Sequence, residues 1–536
     1  MNPAVTGVAA SIDAAKAAMM AGRDVPWLLR HATERSPDKA FLVWEPFTGA
    51  PRTWSYAAFR ADVRSLAAGL HGLGVRPGDR VMVHLDNSPE FLLSWFACAE
   101  LGAVAVSTNT RSVARDLTFF AEHARVVGAI TSPAFADLIN ESAPGLGFLV
   151  VTATDAGEPT SDAHGAPSIP FDEVVAEGGE PPGRPVDPMA DLGIQFTSGT
   201  TSRPKAVLWT HANAIWGAQL NVAHMRLRAD DITLTFLPLF HTNAQSYSML
   251  STLWSGGTIV VQPRFSASRF WDVAVRNRVT WCSTIPFCIK AALAAGVPDE
   301  HHFRFWGTAA RLCAVEDAVG IATIGWWGMT ETITHGIVGN LDDPGPDMSI
   351  GRASPGYDIA VRRPDGTPIA PGERGDLFIR GVRGVSMFKE YADNPAANAE
   401  AFDDDGWFAT GDLVEMDLEG NLFFRDRAKD MLKVGAENVA ASEIEAVINE
   451  TGLVSESAVV GQSHAMLDEV PVAFVIPADP AADRDELAAR IVAVCADQLA
   501  DFKVPRTVHV VDDLPRSTLE KIAKNELRAR LPTIDA

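Results

Sequence analysis

Residues 196–205, Phe-Thr-Ser-Gly-Thr-Thr-Ser-Arg-Pro-Lys, gather two hydroxyl pairs (Thr197-Ser198 and Thr200-Thr201), a glycine (Gly199) and a lysine (Lys205) directly after the strand-like run 192–196. Such a loop can wrap a polyphosphate. Backbone N–H groups and hydroxyls donate to phosphate oxygens, glycine lets the chain approach closely, and lysine adds positive charge. The stretch lacks the G-x-x-x-x-G-K-[ST] spacing of a Walker loop. By residue type alone it also reads as an ordinary turn.

Further candidates follow in chain order. Leu237-Pro238-Leu239-Phe240-His241 sets a histidine at the end of an apolar run. Gly325-Trp326-Trp327-Gly328-Met329-Thr330-Glu331-Thr332 combines paired aromatics with a hydroxyl and a carboxylate. An aromatic can stack a base, a threonine can bond a phosphate oxygen, and a glutamate is a hard oxygen ligand suited to Mg²⁺ beside phosphates. Core packing explains paired tryptophans equally well, Trp326 above all. Thr410-Gly411-Asp412 ends in a carboxylate that can accept two hydroxyls, and also reads as a turn. Lys433-Val434-Gly435-Ala436-Glu437-Asn438 has a glycine that lets backbone pass close to a ligand. Pro515-Arg516-Ser517-Thr518-Leu519-Glu520-Lys521-Ile522 closes the series.

Together these segments resemble the signatures of the adenylate-forming superfamily of acyl-CoA synthetases, adenylation domains and luciferases. The phosphate loop matches [YF]TSGTTGxPKGV, and the order of the motifs is the family's from about Trp54 to Leu527. The resemblance implies an AMP-forming acyl-CoA ligase using ATP, Mg²⁺ and coenzyme A. It makes Lys521 the adenylation lysine and gives His241 a gating and positioning role. Glu331 and Thr200 serve as the metal-site residues. Thr197, Ser198, Gly199, Thr201, Lys205 and Thr330 fall to the phosphates, Trp327, Thr308 and Ala309 to the base, and Asp412 and Arg427 to the ribose. Lys429 occupies the hinge position, and Gly435 lies in the loop that enters the site for the second half-reaction, beside a pantetheine arm. Phe240, Asn243, Ala244, Gly307, Gly328, Met329 and Thr334 are the expected pocket residues for the acid.

The chain departs from the family pattern by three substitutions, all touching the ATP half-reaction, and by one shortened segment. Glu520 replaces the glycine before the lysine, where an L-residue at positive φ costs about 1–2 kcal/mol. Its carboxylate can also compete for Lys521. Ser202 and Ala206 replace loop glycines. The segment from Gly307 to Gly325 is short, which predicts a trimmed helix. Three alternatives to the two-step ligase therefore stay open: a ligase that only thioesterifies a preformed acyl-adenylate, acyl transfer to a carrier-protein phosphopantetheine, and a non-catalytic nucleotide-binding relative.

The elements that must position these residues read as α/β. Residues 80–85 form a strand, Ser88 an N-cap with Pro89 at the first helical position, and the helix runs to about Leu101 before a strand at 103–106. Residues 154–193 read as an irregular excursion. Beyond 425, Ser442-Glu443-Ile444-Glu445 has capping-box spacing for a helix ending near Gly452. Strands at 457–460, 472–476 and 507–511 and a helix at 485–499 complete a small α+β unit. The family resemblance implies a large N-terminal domain of sheets packed with helices plus a β-barrel-like subdomain (1–425), and a small mobile C-terminal domain (426–536).

With 536 residues, 47% hydrophobic and 21% charged, the chain is long enough for several cores and reads as globular. A net charge of -23 argues against broad nucleic-acid binding, though not against a local cationic site for a nucleotide. Five cysteines without a CxxC pair predict reduced thiols. Residues 1–24 lack the pattern of a signal peptide, and no apolar run reaches membrane-spanning length, so a cytoplasmic location is expected. The expected partner is a small carboxylic acid or its adenylate. A homodimer and a carrier protein stay open as partners.

Overall fold

The computed structural model describes residues 18–156, 158–159, 168–176, 179–197, 204–427, 431–435, 437–515, 522 and 524–531. Two large sheets organise the N-terminal domain. In the first, strands run in the order Glu390–Tyr391, Lys205–Thr210, Asp191–Thr197, Val104–Ser107, Arg80–His84, Gly128–Thr131, Leu149–Val151 and Ile169–Pro170. It is parallel from Asp191–Thr197 onward, as β-α-β alternation demands. The crossover helix Pro89–Leu101 starts where the sequence says it should. Ser88 Oγ accepts the Phe91 N–H at 3.2 Å, and Gly102 ends the helix at φ 75°.

The second sheet has nine strands, with Ala322–Trp327, Phe305–Thr308, Trp281–Ser283 and Ile232–Thr235 adjacent and parallel. The short segment between Gly307 and Gly325 forms one seven-residue helix, Cys313–Val319. The excursion at 154–193 is less irregular than expected. It contains the strand Ile169–Pro170 and the helix Phe171–Ala176, whose Phe171 and Val174 are buried.

A third sheet, antiparallel in the order Asp358–Arg362, Arg374–Arg380, Phe408–Met416, Leu422–Arg427, stands where a barrel-like subdomain was expected. Among the described residues no pairing joins its outer strands. The small C-terminal domain has a five-stranded sheet built on the long hairpin Val454–His464 and Asp468–Pro477, flanked by the helices Ala441–Glu450 and Arg484–Gln498.

The capping box at Ser442 is not made. The helix begins at Ala441 with no side-chain cap. Glu445 instead accepts the Val459 N–H at 2.6 Å and pairs with Lys524 at 2.7 Å, and Glu443 pairs with Lys503 at 2.6 Å. Tertiary partners claim both carboxylates. The five cysteines are free, and among the described residues no helix is long and apolar enough to cross a membrane.

Candidate active site

Strands Asp191–Thr197 and Lys205–Thr210 run antiparallel with Thr197 opposite Lys205, so the two ends of the expected phosphate loop leave neighbouring strands of one hairpin. Ser198, Gly199, Thr200, Thr201 and Ser202 lie outside the described residues, as do Lys429, Glu520 and Lys521, and nothing is described of the Arg427 side chain. Thr197 and Lys205 are partly exposed at the mouth of the hairpin.

Lys205 places its ammonium 4.7 Å from the centroid of the Tyr391 ring, a cation–π contact. Tyr391 is held beside it because strand Glu390–Tyr391 pairs with Lys205–Thr210. The Tyr391 hydroxyl donates to Glu331 Oε1 at 2.9 Å. Glu331 is buried, and burial together with this carboxylate drives the Tyr391 hydroxyl pKa upward. A phenol that stays protonated is a dedicated donor to Glu331. Among the described residues no cluster of three His, Cys, Asp or Glu side chains could hold a metal by itself. The donor set fits an ion held by one carboxylate and completed by phosphate oxygens, the usual arrangement for Mg²⁺.

A second network links this point to the apolar run. The Thr242 hydroxyl donates to Gln195 Oε1 at 2.7 Å, and its oxygen lies 3.2 Å from Thr330 Oγ1, which can donate to it. Gln195 in turn donates to Gln245 Oε1 at 3.0 Å, and Gln245 to Ser107 Oγ at 3.0 Å. The strand that feeds the phosphate loop, the Thr330 turn and the π-helical turn Asn243–Leu250 are thereby locked together.

Asp412 is buried beside the paired tryptophans. Trp327 donates its indole N–H to Asp412 Oδ2 at 2.7 Å, so this ring is anchored at the carboxylate with most of its surface in the core. Backbone register sets Arg427 directly opposite Asp412. Met329 and Gly328 are partly exposed on the same turn, and Ala309 is exposed at the end of its strand. Thr308, Ala244 and Thr334 are fully buried. The Thr308 hydroxyl is bonded to the Ala310 carbonyl and the Thr334 hydroxyl to Asn221, so both lie beneath the site wall and not on its surface.

His241 meets the C-terminal domain. Its Nε2 lies 3.2 Å from Oε2 of Glu437, a residue 6% exposed at the start of strand Glu437–Ala440. Burial works to lower the His241 pKa, but the Glu437 carboxylate outweighs it and the net shift is upward. Burial likewise works to raise Glu437, and His241, helped by Arg111, turns the net shift downward. The two groups therefore favour the charged pair. Glu437 is presented by a tight hairpin whose Val434 and Glu437 are paired and whose Gly435 sits at φ 63°, a left-handed conformation that favours glycine.

That hairpin closes a cavity of about 330 Å³ between the domains. Phe236 to Pro238, Phe265 and Phe287 supply one wall, Gly435, Val470 and Phe502 the other, with Arg111, Arg264 and Arg506 also lining it. Arg111 bonds Asp501 at 3.0 Å and lies 4.4 Å over the Phe502 ring, while Arg115 pairs with Glu450 at 3.3 Å. Burial pushes the Cys288 thiol on this cavity up to about 12, so it stays protonated.

Reading the sequence missed Tyr391 and Glu437 as site residues. Glu437 stood inside a quoted motif. Tyr391 carried one weak signal, being one of only four tyrosines in the chain.

Sequence profiles agree with this geometry. The AMP-binding enzyme profile matches residues 29–392, and the AMP-binding enzyme C-terminal domain profile matches residues 443–521. A crotonobetaine/carnitine–CoA ligase of Salmonella paratyphi C (strain RKS4594) is 32% identical over 510 residues, covering 92% of this chain and 96% of that protein. A double mutant of o-succinylbenzoate CoA synthetase from Bacillus subtilis, bound with its product analogue OSB-NCoA, superposes with a TM-score of 0.81 at 26% identity. That alignment covers 94% of this chain and 98% of the other. The Bacillus subtilis synthetase in complex with AMP gives a TM-score of 0.67 at 25% identity, over 96% and 100% of the two chains.

Proposed function

The chain belongs to the AMP-binding enzyme family, and on that premise we propose that it is an AMP-forming carboxylate–CoA ligase. In the first step an oxygen of the acid's carboxylate attacks the α-phosphorus of ATP. The bond to the β-phosphate oxygen breaks, and pyrophosphate leaves as the acyl-adenylate forms. In the second step the thiol of coenzyme A, losing its proton, attacks the acyl carbon and AMP departs.

Asp412 and Arg427 hold the ribose, with Trp327 and Ala309 at the base; Thr308, buried beneath the site wall, supports them and does not touch the base. Thr197, Ser198, Gly199, Thr201, Lys205 and Thr330 orient the phosphates. Glu331, fixed by Tyr391, and Thr200 would hold Mg²⁺, which supplies charge neutralisation at the phosphates when bound. Lys521 stabilises charge developing on the α-phosphate and carboxylate, a contribution of roughly 3–4 kcal/mol for one such donor. The two domains, divided at 425/426, turn about Lys429 between the steps, and the protein works in the cytoplasm.

The observation that carries this reading is the interdomain cavity. Gly435 and the Leu237-Pro238 stretch of the run that ends in His241 line it, and its apolar walls and three arginines suit a pantetheine arm with an anionic end. Free coenzyme A offers that anionic end. The higher TM-score with the product-analogue complex of the double mutant than with the AMP complex of the same synthetase supports a domain arrangement for the second step. The test is a pair of assays on a panel of acids: pyrophosphate release from ATP, and thioester formation from synthetic acyl-adenylates and coenzyme A. Thioester formation alone would mean that the enzyme takes ready-made adenylates. Neither activity, with any acid, would refute the ligase.

A further inference from the structure

We infer that the acyl site is short and takes a small carboxylic acid with an uncharged tail, because Trp326 and Tyr247 close it. The inference rests on the ligase reading, which puts the acid among Phe240, Asn243, Gly307 and Gly328. In this chain both glycines face side chains of the protein itself. A Cβ built on Gly307 would lie 1.5 Å from Trp326 Cη2 and 2.0 Å from Cζ3, so the six-membered edge of the indole lies flat on that glycine. A Cβ built on Gly328 would lie 2.4 Å from the Tyr247 hydroxyl oxygen. Neighbouring strands fix the first contact, since Gly307 pairs with Ile324 two residues before Trp326. The helical turn that begins at Asn243 fixes the second.

Trp326 has nowhere to swing. His335 stacks on it at 4.4 Å between centroids and 17° between planes, and Tyr247 meets it edge-on at 5.6 Å. Tyr247 and His335 are themselves 4.0 Å apart. All three are buried, His335 completely. A floor made of three interlocked rings does not yield to a long chain as a methionine floor would.

The floor is also uncharged. Burial holds the His335 imidazole well below its ordinary pKa, with the neighbouring His224 adding to the shift, and burial holds His224 down at about 4. The Tyr247 hydroxyl is pushed upward by burial and stays protonated. Among the described residues these rings offer neither a cation nor a carboxylate, so a second carboxylate or a fixed cation on the acid would be desolvated against them without a charged partner.

The experiment measures kcat/KM for ligation over a linear series from acetate to octanoate, with succinate, benzoate and a trimethylammonium acid added, in wild type, Trp326→Ala and Trp326→Leu. Wild type is expected to peak among the short acids and lose about ten-fold or more for each methylene beyond the optimum. Both variants are expected to move the optimum to longer acids. Trp326→Leu guards against the larger cavity of the alanine variant compromising the fold. Chain-length dependence of inhibition by non-reactive acyl-adenylate analogues gives the same readout in wild type alone. A wild-type preference for octanoate, benzoate, succinate or the trimethylammonium acid overturns the inference and leaves the ligase standing. So does a folded Trp326→Leu with an unchanged profile. Failure to ligate every acid, with every adenylate also refused, overturns both.

Discussion

Replacing Glu437 by glutamine keeps the side chain's size and removes the charge facing His241. At the observed separation of 3.2 Å the Coulomb energy of a unit pair runs from roughly 1 kcal/mol in bulk water to about 5 kcal/mol at an effective dielectric constant near 20. The His241 side chain is 38% exposed, which places the pair toward the lower end, about 1–2 kcal/mol, or about ten-fold in the equilibrium between domain arrangements. The pH dependence has a definite sign. His241 is raised by the contact, so its contribution is complete below the ordinary imidazole value of 6.5 and fades as pH rises through the raised value. Glu437 is lowered, so its contribution is present above the ordinary carboxylate value of 4.5 and is lost as pH falls through the depressed one. Occupancy of this arrangement should therefore decline as pH climbs above neutrality in wild type. In Glu437→Gln it should be lower throughout and nearly flat over the same range. Single-molecule energy transfer between dyes on the exposed positions Met348→Cys and Ala478→Cys reads that occupancy. Identical pH profiles for the two proteins would mean that the contact contributes nothing to domain placement.

Asp412→Ala should weaken ATP and acyl-adenylate together by roughly 1.5–3 kcal/mol, and lower the melting temperature because the Trp327 N–H loses its partner. Unchanged nucleotide affinity by calorimetry, with the fold intact, rejects the ribose assignment. Tyr391→Phe removes the hydroxyl that orients Glu331, and should raise the Mg²⁺ concentration needed for half-maximal adenylation while sparing thioester formation from supplied adenylate. An unmoved metal dependence would return Tyr391 to a purely structural role. Glu520→Gly should speed adenylation by about ten-fold or more if backbone strain and carboxylate competition each cost near 1 kcal/mol. Lys521→Ala should abolish adenylation and leave the second step. Fast wild-type adenylation, unaltered by Glu520→Gly in single-turnover kinetics, would make the substitution neutral.

What could be read in advance follows from the range over which each signal acts. Ser88-Pro89 names a helix start because a cap is a contact three residues long, and the structure has it. Of the hairpin at the expected phosphate loop only the first strand was legible, as the run 192–196; its antiparallel partner Lys205–Thr210 was not. The same local logic failed at Ser442, where an equally good spacing lost its glutamates to Lys503, Lys524 and the Val459 amide. Those partners lie far along the chain, and no local pattern announces them. His241 and Glu437 are 196 residues apart and meet only because two domains do. The tryptophan pair divided on register. Trp326 stacks into a sealed aromatic cluster, while Trp327, pointing to the other face of the strand, reaches Asp412. Alternation along a strand predicts that the two differ, but not which of them meets a polar partner.

The interdomain cavity draws its walls from both sides, so any other placement of the domains takes the walls apart. A ligand that fills it binds one arrangement and has little affinity for the rest. Its binding free energy then divides into a part that holds the ligand and a part that holds the domains together. If the small domain turns as proposed, the ligand's concentration becomes a control on conformation: raising it would draw the population toward the closed cavity, and depleting it would release the small domain. Reciprocity follows. A substitution that loosens the Arg111–Asp501 or Arg115–Glu450 contacts, though remote from any reacting atom, should weaken binding in the cavity by the same factor by which it depopulates the closed arrangement.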